Sequence, residues 1–481
     1  MPLPPKKSSP TIACKSAPVE TRSAFPSCLG ALVVNVPFPF AFSNIAAIVL
    51  SDISQVQDML ATSELIQETA QRSRLEKLVP EWQRVPLYHT FLAQRPVDTD
   101  ILAALNTFPL TGKREMREGF PFLPPGQNLE TLLEQDVVEL EHTSGTSEEQ
   151  LPVLFRRGWW DAQEERALRL NPFVTRVLDA HPDARRATLT TPACNGRVCF
   201  SAWRSRTHRT VGKTLYVNQQ RIPFVFTDDD MARMADEIAD WSPKFLDTDP
   251  VHAAWFALYC ERKGIRFPSL EFILCSYEFV SAVHRRILQR AFGVPVFNLY
   301  GSTETGHLLM EQENARTGGQ GKMKPCYDNA YLEVVSPDAR GIGDLAVTTL
   351  TNDYMPLLRY RIGDLVERRE QPYETTYIVH GRARDAIRTS DGDRVTTWEV
   401  DQCVNSVQGI AHYQLHQEKD RSCRLRYIPD PNDGGPNATG LKTLSSRLQD
   451  LLQTPEAIVL EPVDKLPPTP SGKFRLTVGT P

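Results

Sequence analysis

The pattern that most restricts the fold is an alternation of short apolar runs with amphipathic ones. Phe272-Ile273-Leu274-Cys275 reads as a strand, Ser281 to Phe292 as a helix, and Val294 to Leu299 as the next strand. Short apolar runs bounded by turn signals suit buried strands, whereas apolar residues three and four apart suit a helix with one covered face. The alternation recurs through most of the first 350 residues. Repeated strand–helix–strand units require parallel neighbours with helices over the faces, and such sheets bind ligands at the carboxyl ends of their strands. Further helices are expected over 51–87, with Val85-Pro86-Leu87-Tyr88 as a break, from Phe108 to Lys113 onward, and over Trp159–Leu170, Asp228–Ala239 and Val251–Lys263. Thr188–Thr191 and Arg197–Ala202 read as strands, and 331–335 and 344–349, around Gly341 and Gly343, as a smaller antiparallel subdomain.

A chain of 481 residues exceeds one ordinary core, so two or more domains are expected. The character shifts at Gly381-Arg382-Ala383-Arg384-Asp385, after which 423–428 and 457–460 read as strands and 440–452 as a helix. The formal net charge of −5, with no basic run longer than a pair, excludes an indiscriminate nucleic-acid binder. Nine cysteines without a CxxC pair point to reduced thiols and a cytoplasmic protein. His412 and His416 have metal-ligand spacing for a helix, but no third ligand is near. Residues 23–51 carry no charge, yet Pro37 and Pro39 make them a poor membrane span. Residues 1–50 are therefore expected as a disordered extension, with the folded protein starting near residue 50.

The stretch Leu140 to Pro152 runs through five consecutive small residues, Thr143, Ser144, Gly145, Thr146 and Ser147. Hydroxyls and unobstructed backbone N–H groups in such a loop can cradle an anion, phosphate being the natural one, although a plain Ser/Thr turn has the same composition. Tyr300-Gly301-Ser302-Thr303-Glu304 follows an apolar run, as does Arg359-Tyr360-Arg361-Ile362-Gly363-Asp364, and the chain closes on Pro470-Ser471-Gly472-Lys473.

In this order and spacing the four stretches resemble the adenylate-forming superfamily, with the look of its phenylacetate–CoA ligase branch. The resemblance implies an α/β fold: a large N-terminal domain (51–380) of βαβ sheets with a smaller antiparallel subdomain, then a small mobile α+β lid (381–481). It implies ATP-dependent activation of a carboxylic acid, an aromatic one in that branch, as an acyl-adenylate with release of pyrophosphate. Transfer to a thiol follows, most simply coenzyme A. Passage to an amine or a carrier-protein thiol, or a non-catalytic nucleotide- or acid-binding relative, stays open. Carried over residue by residue, Lys473 would stabilise developing charge, Tyr300 stack on adenine and Thr303 touch the α-phosphate. Glu304 would hold Mg²⁺ and Asp364 the ribose hydroxyls. Thr143 to Ser147, Ser276-Tyr277-Glu278, Gly301, Ser302 and Arg382 would complete the nucleotide site, and Trp255, Phe256 and Tyr259 would line the acyl pocket. No nucleic acid and no stable membrane span are expected.

Two departures stand out. The family's phosphate loop continues Gly-x-Pro-Lys, whereas here Glu148-Glu149-Gln150-Leu151-Pro152 follows, so Arg156 or Arg157 would have to supply the missing cation. Arg384 occupies the hinge position and Ser390 to Arg394 lacks the turn common near coenzyme A, so adenylation is better supported than thioester formation.

Overall fold

The computed structural model describes residues 68–94, 100–143, 150–190, 205–219, 222–312, 321–371 and 374–479. The readings of residues 1–50, of the strand Arg197–Ala202 and of Ser144 to Glu149 lie outside the described residues.

An antiparallel hairpin, β1 (Val138–His142) and β2 (Pro152–Arg156), flanks the small-residue loop, with His142 opposite Pro152. The expected helix therefore does not follow the loop directly. β2 intervenes, since Leu151, Val153, Leu154 and Phe155 form a buried apolar run too short for a helix. Helices α1 (Lys113–Glu118) and α2 (Trp159–Leu168) lie before and after this hairpin in the chain.

Twelve strands then form one hydrogen-bonded ladder that changes character midway. Its first half holds β3 (Arg186–Leu189), β4 (Thr210–Val211), β5 (Thr214–Tyr216), β6 (Phe245–Thr248), β7 (Phe272–Cys275) and β8 (Val296–Ser302), ordered β4-β5-β3-β6-β7-β8. All neighbours from β5 to β8 are parallel. Helices α3 (Asp228–Trp241), α4 (Pro250–Lys263) and α5 (Ala282–Phe292) connect them. Their limits follow from local chemistry. The Asp249 carboxylate caps Val251 and His252 N–H groups ahead of Pro250, and Ser281 caps α5 in the same way. Because alternate strand residues face opposite sides, Leu246, Ile273 and Cys275 pack with Phe256, Ile287 and Leu288, while Phe245, Phe272 and Leu274 meet Ala167 and Leu168 of α2.

The second half is antiparallel: β9 (Gly306–Glu311), β10 (Met323–Pro325), β11 (Ala330–Val335), β12 (Ile342–Thr349), β13 (Tyr360–Gln371) and β14 (Glu374–Arg382), ordered β9-β10-β14-β13-β12-β11 outward from β8. These antiparallel strands extend the same ladder.

Beyond Arg382 comes a short hairpin of β15 (Ile387–Arg388) and β16 (Arg394–Val395), then helix α6 (Thr397–Asn405), β17 (Ile410–Gln417), β18 (Cys423–Pro429), helix α7 (Ala438–Leu452), β19 (Val459–Pro462) and β20 (Thr477–Val478). The last four strands form a separate sheet ordered β19-β18-β17-β20. His412 and His416 lie on β17, so the metal-ligand spacing for a helix does not apply. His412 is bonded to His284, and His416 pairs with Glu418 at 3.0 Å. Among the described residues no three His, Cys, Asp or Glu side chains are grouped to hold a metal ion, and no helix is long and apolar enough to cross a membrane.

One buried ion pair ties the halves of the large sheet together. Arg285 of α5 reaches Glu311 of β9 at 2.7 Å with side chains 3 % and 0 % exposed, and the same carboxylate accepts the Asn298 N–H of β8 at 2.7 Å. Removing one partner strands a charge in the interior. Arg285→Met should lower stability by about 3–5 kcal/mol in denaturant unfolding, and the double change Arg285→Met/Glu311→Leu should recover a large part of that loss.

Candidate active site

The site forms where the parallel half of the sheet meets the antiparallel half. After Leu299 the chain leaves its parallel partner β7 and folds back along β9, with a register shift between Tyr300 and Gly301. Only glycine fits at 301, because a Cβ there would sit 2.2 Å from the Gly306 carbonyl oxygen. The turn is closed by Ser302 and Thr305, whose hydroxyls lie 3.0 Å apart, and Thr303 stands half-buried at its tip.

Across from the turn runs β13, where Tyr360, Ile362 and Asp364 are buried while Arg361 is exposed, the period-two pattern of one covered face. That face meets the turn twice. The Tyr300 hydroxyl donates to Asp364 Oδ2 at 2.6 Å, and the Tyr360 hydroxyl donates to Glu304 Oε1 at 3.0 Å. The ladder places Asp364 directly opposite Arg382 of β14, and the guanidinium Nε lies 3.0 Å from Asp364 Oδ1. Cross-strand opposition thus builds this ion pair. Asp364 keeps acceptor capacity on both oxygens. Enclosure of the hydroxyl and the Asp364 charge hold the Tyr300 phenol well above its ordinary pKa, and Asp364 raises that of Arg382.

Lys113 enters from the chain's first third, where no chemistry was expected. Thr111 is bonded into β13, its N–H to the Arg359 carbonyl at 3.1 Å and its carbonyl to the Arg361 N–H at 2.9 Å, so the next residues are delivered to the cleft. The Lys113 ammonium lies 3.3 Å from the Thr143 hydroxyl, at the start of the small-residue loop. Burial lowers its pKa. Nearby Glu304 opposes that shift, and Arg382, Arg384 and Lys473 add to it, so these charges share one space. The signal was available in sequence, since a loop lacking its lysine leaves a cation to be found elsewhere. Arg156 and Arg157 are not that cation. Arg156 pairs with Asp353 at 2.6 Å and lies over the Tyr354 ring, while Arg157 is held by Asp136 and Glu139.

Lys473 arrives from the small sheet. Its ammonium donates to the Tyr277 carbonyl at 2.8 Å, and the following N–H, of Phe474, donates to Glu278 at 2.9 Å. A turn in which Thr469 bonds the Lys473 carbonyl presents it, with Gly472 at φ +88°, a conformation other residues rarely adopt. Ser276 and Tyr277 direct their hydroxyls to Asp247, at 3.1 and 3.0 Å, so what they offer a ligand is backbone. Burial raises the Asp247 carboxyl to about 6.

The expected acyl-pocket residues do not form one surface. Phe256 is fully buried against Phe267 and Phe292, and Tyr259 lies beneath Arg262 and Lys263. Trp255 alone faces the small sheet's neighbourhood, edge-on to Phe224 at 4.7 Å. Of the loop, Thr143 is placed, and Ser144, Gly145, Thr146 and Ser147 lie outside the described residues.

Known proteins resemble this chain in sequence and in fold. Residues 387–480 match the CapK C-terminal domain family. Protein CapK of Staphylococcus aureus is 26 % identical over 213 residues, covering 42 % of this chain and 44 % of CapK, less than half of that protein's length. Phenylacetate-coenzyme A ligase of Pseudomonas putida is 22 % identical over 366 residues, covering 70 % of this chain and 74 % of that enzyme. Among solved structures, 2-hydroxyisobutyryl-CoA ligase in a postadenylation state superposes with a TM-score of 0.61 at 17 % identity, over 82 % of this chain and 85 % of that one. The chain is thus similar in sequence to phenylacetate–CoA ligases, shares the fold of acyl-CoA ligases, and matches the CapK C-terminal domain family over residues 387–480.

Proposed function

We propose that this protein activates a carboxylic acid with ATP, forming an acyl-adenylate and pyrophosphate, and then transfers the acyl group to coenzyme A. The observation that carries the reading is convergence. Lys113, Thr143, Tyr300, Glu304, Asp364, Arg382 and Lys473 span most of the chain, yet their side chains meet at one sheet junction. Four cations, Lys113, Arg382, Arg384 and Lys473, act there among the carboxylates Glu304, Asp364, Asp385 and Glu278. Ammonium and guanidinium groups gathered beside a buried carboxylate suit a triphosphate approached by a carboxylate nucleophile.

In the first half-reaction a carboxylate oxygen attacks the α-phosphorus, and the bond from that phosphorus to the bridging oxygen of the departing pyrophosphate breaks. Tyr300 would flank the adenine and Asp364 the ribose. Thr143, Lys113 and the loop after it would hold the β- and γ-phosphates. Lys473, docked at Tyr277, would bridge the nucleophile and the α-phosphate, where it neutralises charge that builds in the transition state. Glu304, a single buried carboxylate with one oxygen taken by Tyr360, fits the way Mg²⁺ is held, by one or two protein oxygens with phosphate and water completing the shell. That ion would shield charge on the triphosphate. For the second half-reaction residues 381–385 would act as hinge, carrying Lys473 away and opening a path for the thiol. The relationship to phenylacetate–CoA ligases favours an aromatic acid, and a cytoplasmic location accords with the coenzymes.

Acid-dependent exchange of labelled pyrophosphate into ATP tests the reading, over a panel of phenylacetate, benzoate and 2-hydroxyisobutyrate. Exchange is expected with at least one acid, and Lys473→Ala should slow it by about 10²–10³-fold. No exchange with any acid would leave a binding protein without turnover, and exchange without a CoA ester would point to an amine or carrier-protein acceptor. Calorimetric titration with Mg·ATP tests the cation assignment. Lys113→Met should weaken binding by about 10–100-fold, the worth of one charged hydrogen bond, whereas Arg156→Met should change it by less than about twofold.

A further inference from the structure

We propose that Phe474 is the positioning residue for Lys473, seated in a socket of Phe224, His252, Trp255 and His412, and that the His284–His412 contact makes this seat acid-labile. The inference rests on Lys473 being the rate-carrying cation. A lysine stem has four rotatable bonds and gives its ammonium little orientation, so something adjacent has to fix it. The Phe474 ring is 8 % exposed and meets Phe224 at 5.4 Å and His412 at 5.5 Å, both edge to face, with His252 at 6.3 Å. Trp255 closes the far side through Phe224. Edge-to-face packing of this kind fixes the ring direction as well as burying it. Phe224, His252 and Trp255 belong to the large sheet's helices and turns, whereas Phe474 and His412 belong to the small sheet, so the ring is the plug joining the two.

His284 of α5 and His412 of β17 are both fully buried, with Nε2 and Nδ1 3.0 Å apart and the rings stacked at 5.1 Å. One ring donates and the other accepts, and burial favours the uncharged form of both. A proton added at the accepting nitrogen breaks the contact, and one added at an outer nitrogen places a charge in an apolar seat. Burial pulls His284 down to about 4, and burial together with His284 holds His412 well below an ordinary imidazole. The charges facing this seam are Asp249, which His252 approaches at 3.3 Å, then Glu278, Lys473, Arg286 and Asp401. Asp401 of α6 accepts the Ala282 N–H at 2.9 Å and the Tyr413 hydroxyl at 2.7 Å, and burial raises its carboxyl to about 6.

Depressed histidines favour the docked pose above about pH 6.5 and weaken it as the pH falls towards their docked values, because undocking lets both rings take up protons. Asp401 acts in the opposite sense: with a raised value when docked, it releases a proton on undocking below about pH 6 and cancels one of the two. Asp249 and Glu278 lie on the same side of the contact in either pose, and burial holds the Glu278 carboxyl well above its ordinary range, so a proton that it releases on gaining water offsets part of the histidine uptake. The uptake left over makes docking weaken as the pH falls from 6 to 5, by at most about tenfold per pH unit.

Hydrogen exchange of the full chain without ligand, corrected for the intrinsic chemical rate, reads the docking directly. Protection over 470–478 should fall measurably, by at most about tenfold, from pH 6 to pH 5, and the double change His284→Gln/His412→Gln should flatten that dependence. Phe474→Ala should remove protection over 470–478 at pH 7.5 while leaving 272–275 protected, which separates undocking from unfolding. In pyrophosphate exchange it should lower turnover at least about tenfold, with the KM for ATP within about twofold, and Phe474→Leu should restore most of the loss. Protection over 470–478 that is flat from pH 8 to 5, or that survives Phe474→Ala together with full turnover, overturns the proposal. If the parent protein exchanges pyrophosphate with no acid, the assignment of Lys473 fails, and hydrogen exchange still decides the seat.

Discussion

The hydrogen bond from Tyr300 to Asp364 joins residues 64 apart in sequence and holds the site together. It exists because β8 changes partner. A strand with a parallel neighbour on one side and an antiparallel one on the other must turn sharply at its carboxyl end, and the Gly301–Gly306 approach is what that turn costs in side-chain space. The antiparallel strands that follow return β13 to the turn, so Asp364 and Tyr360 can reach Tyr300 and Glu304. The Arg285–Glu311 pair lies just behind this junction and fixes the angle between helix and sheet from which the turn departs.

Electrostatics act at the same junction. Burial depresses the Lys113 ammonium first of all, and Arg382, Arg384 and Lys473 add to that shift while Glu304 opposes it. In the proposed reading a bound triphosphate would favour the charged ammonium. The docked Lys473 fits this picture, since its ammonium is held by a backbone carbonyl, an acceptor that a stronger anion can displace.

Much of this was legible in the sequence because the motifs are local and their surroundings are strong. Phe272–Cys275 and Val294–Leu299 are apolar enough to be strands in any parallel sheet, and residues just past such strands are where a site belongs. What stayed hidden depends on contacts across the chain. Lys113 looks like an ordinary helix start until Thr111 is seen paired with β13. His412 and His416 have spacing that suits a helix, and only the strand pairing and their partners, His284 on α5 and Glu418 two residues on, show His412 buried and His416 half-buried on a strand. Trp255, Phe256 and Tyr259 share a helix, and periodicity cannot say which of its two apolar neighbours, core or cleft, each faces. The core takes Phe256 because Phe267 and Phe292 close over it.

The two sheets are coupled by a buried seam, with Ile387, Val400, Tyr413 and Leu415 continuing the apolar cluster that begins under α4 and α5. In the proposed cycle the small sheet would leave after adenylation, and a surface with full hydrophobic strength would hinder that release. The polar groups in this seam bear on that requirement. Asp401 on the α5 N-terminus, the stacked histidines and Glu278 on the Phe474 N–H each satisfy a hydrogen bond when docked and are readily solvated when not, so they specify the docked pose without making it irreversible. An all-apolar seam would bind more tightly and, in the proposed cycle, would slow the second half-reaction. Weak, direction-specific bonds beside Phe474 would keep Lys473 accurate in one pose and leave it free to depart for the other.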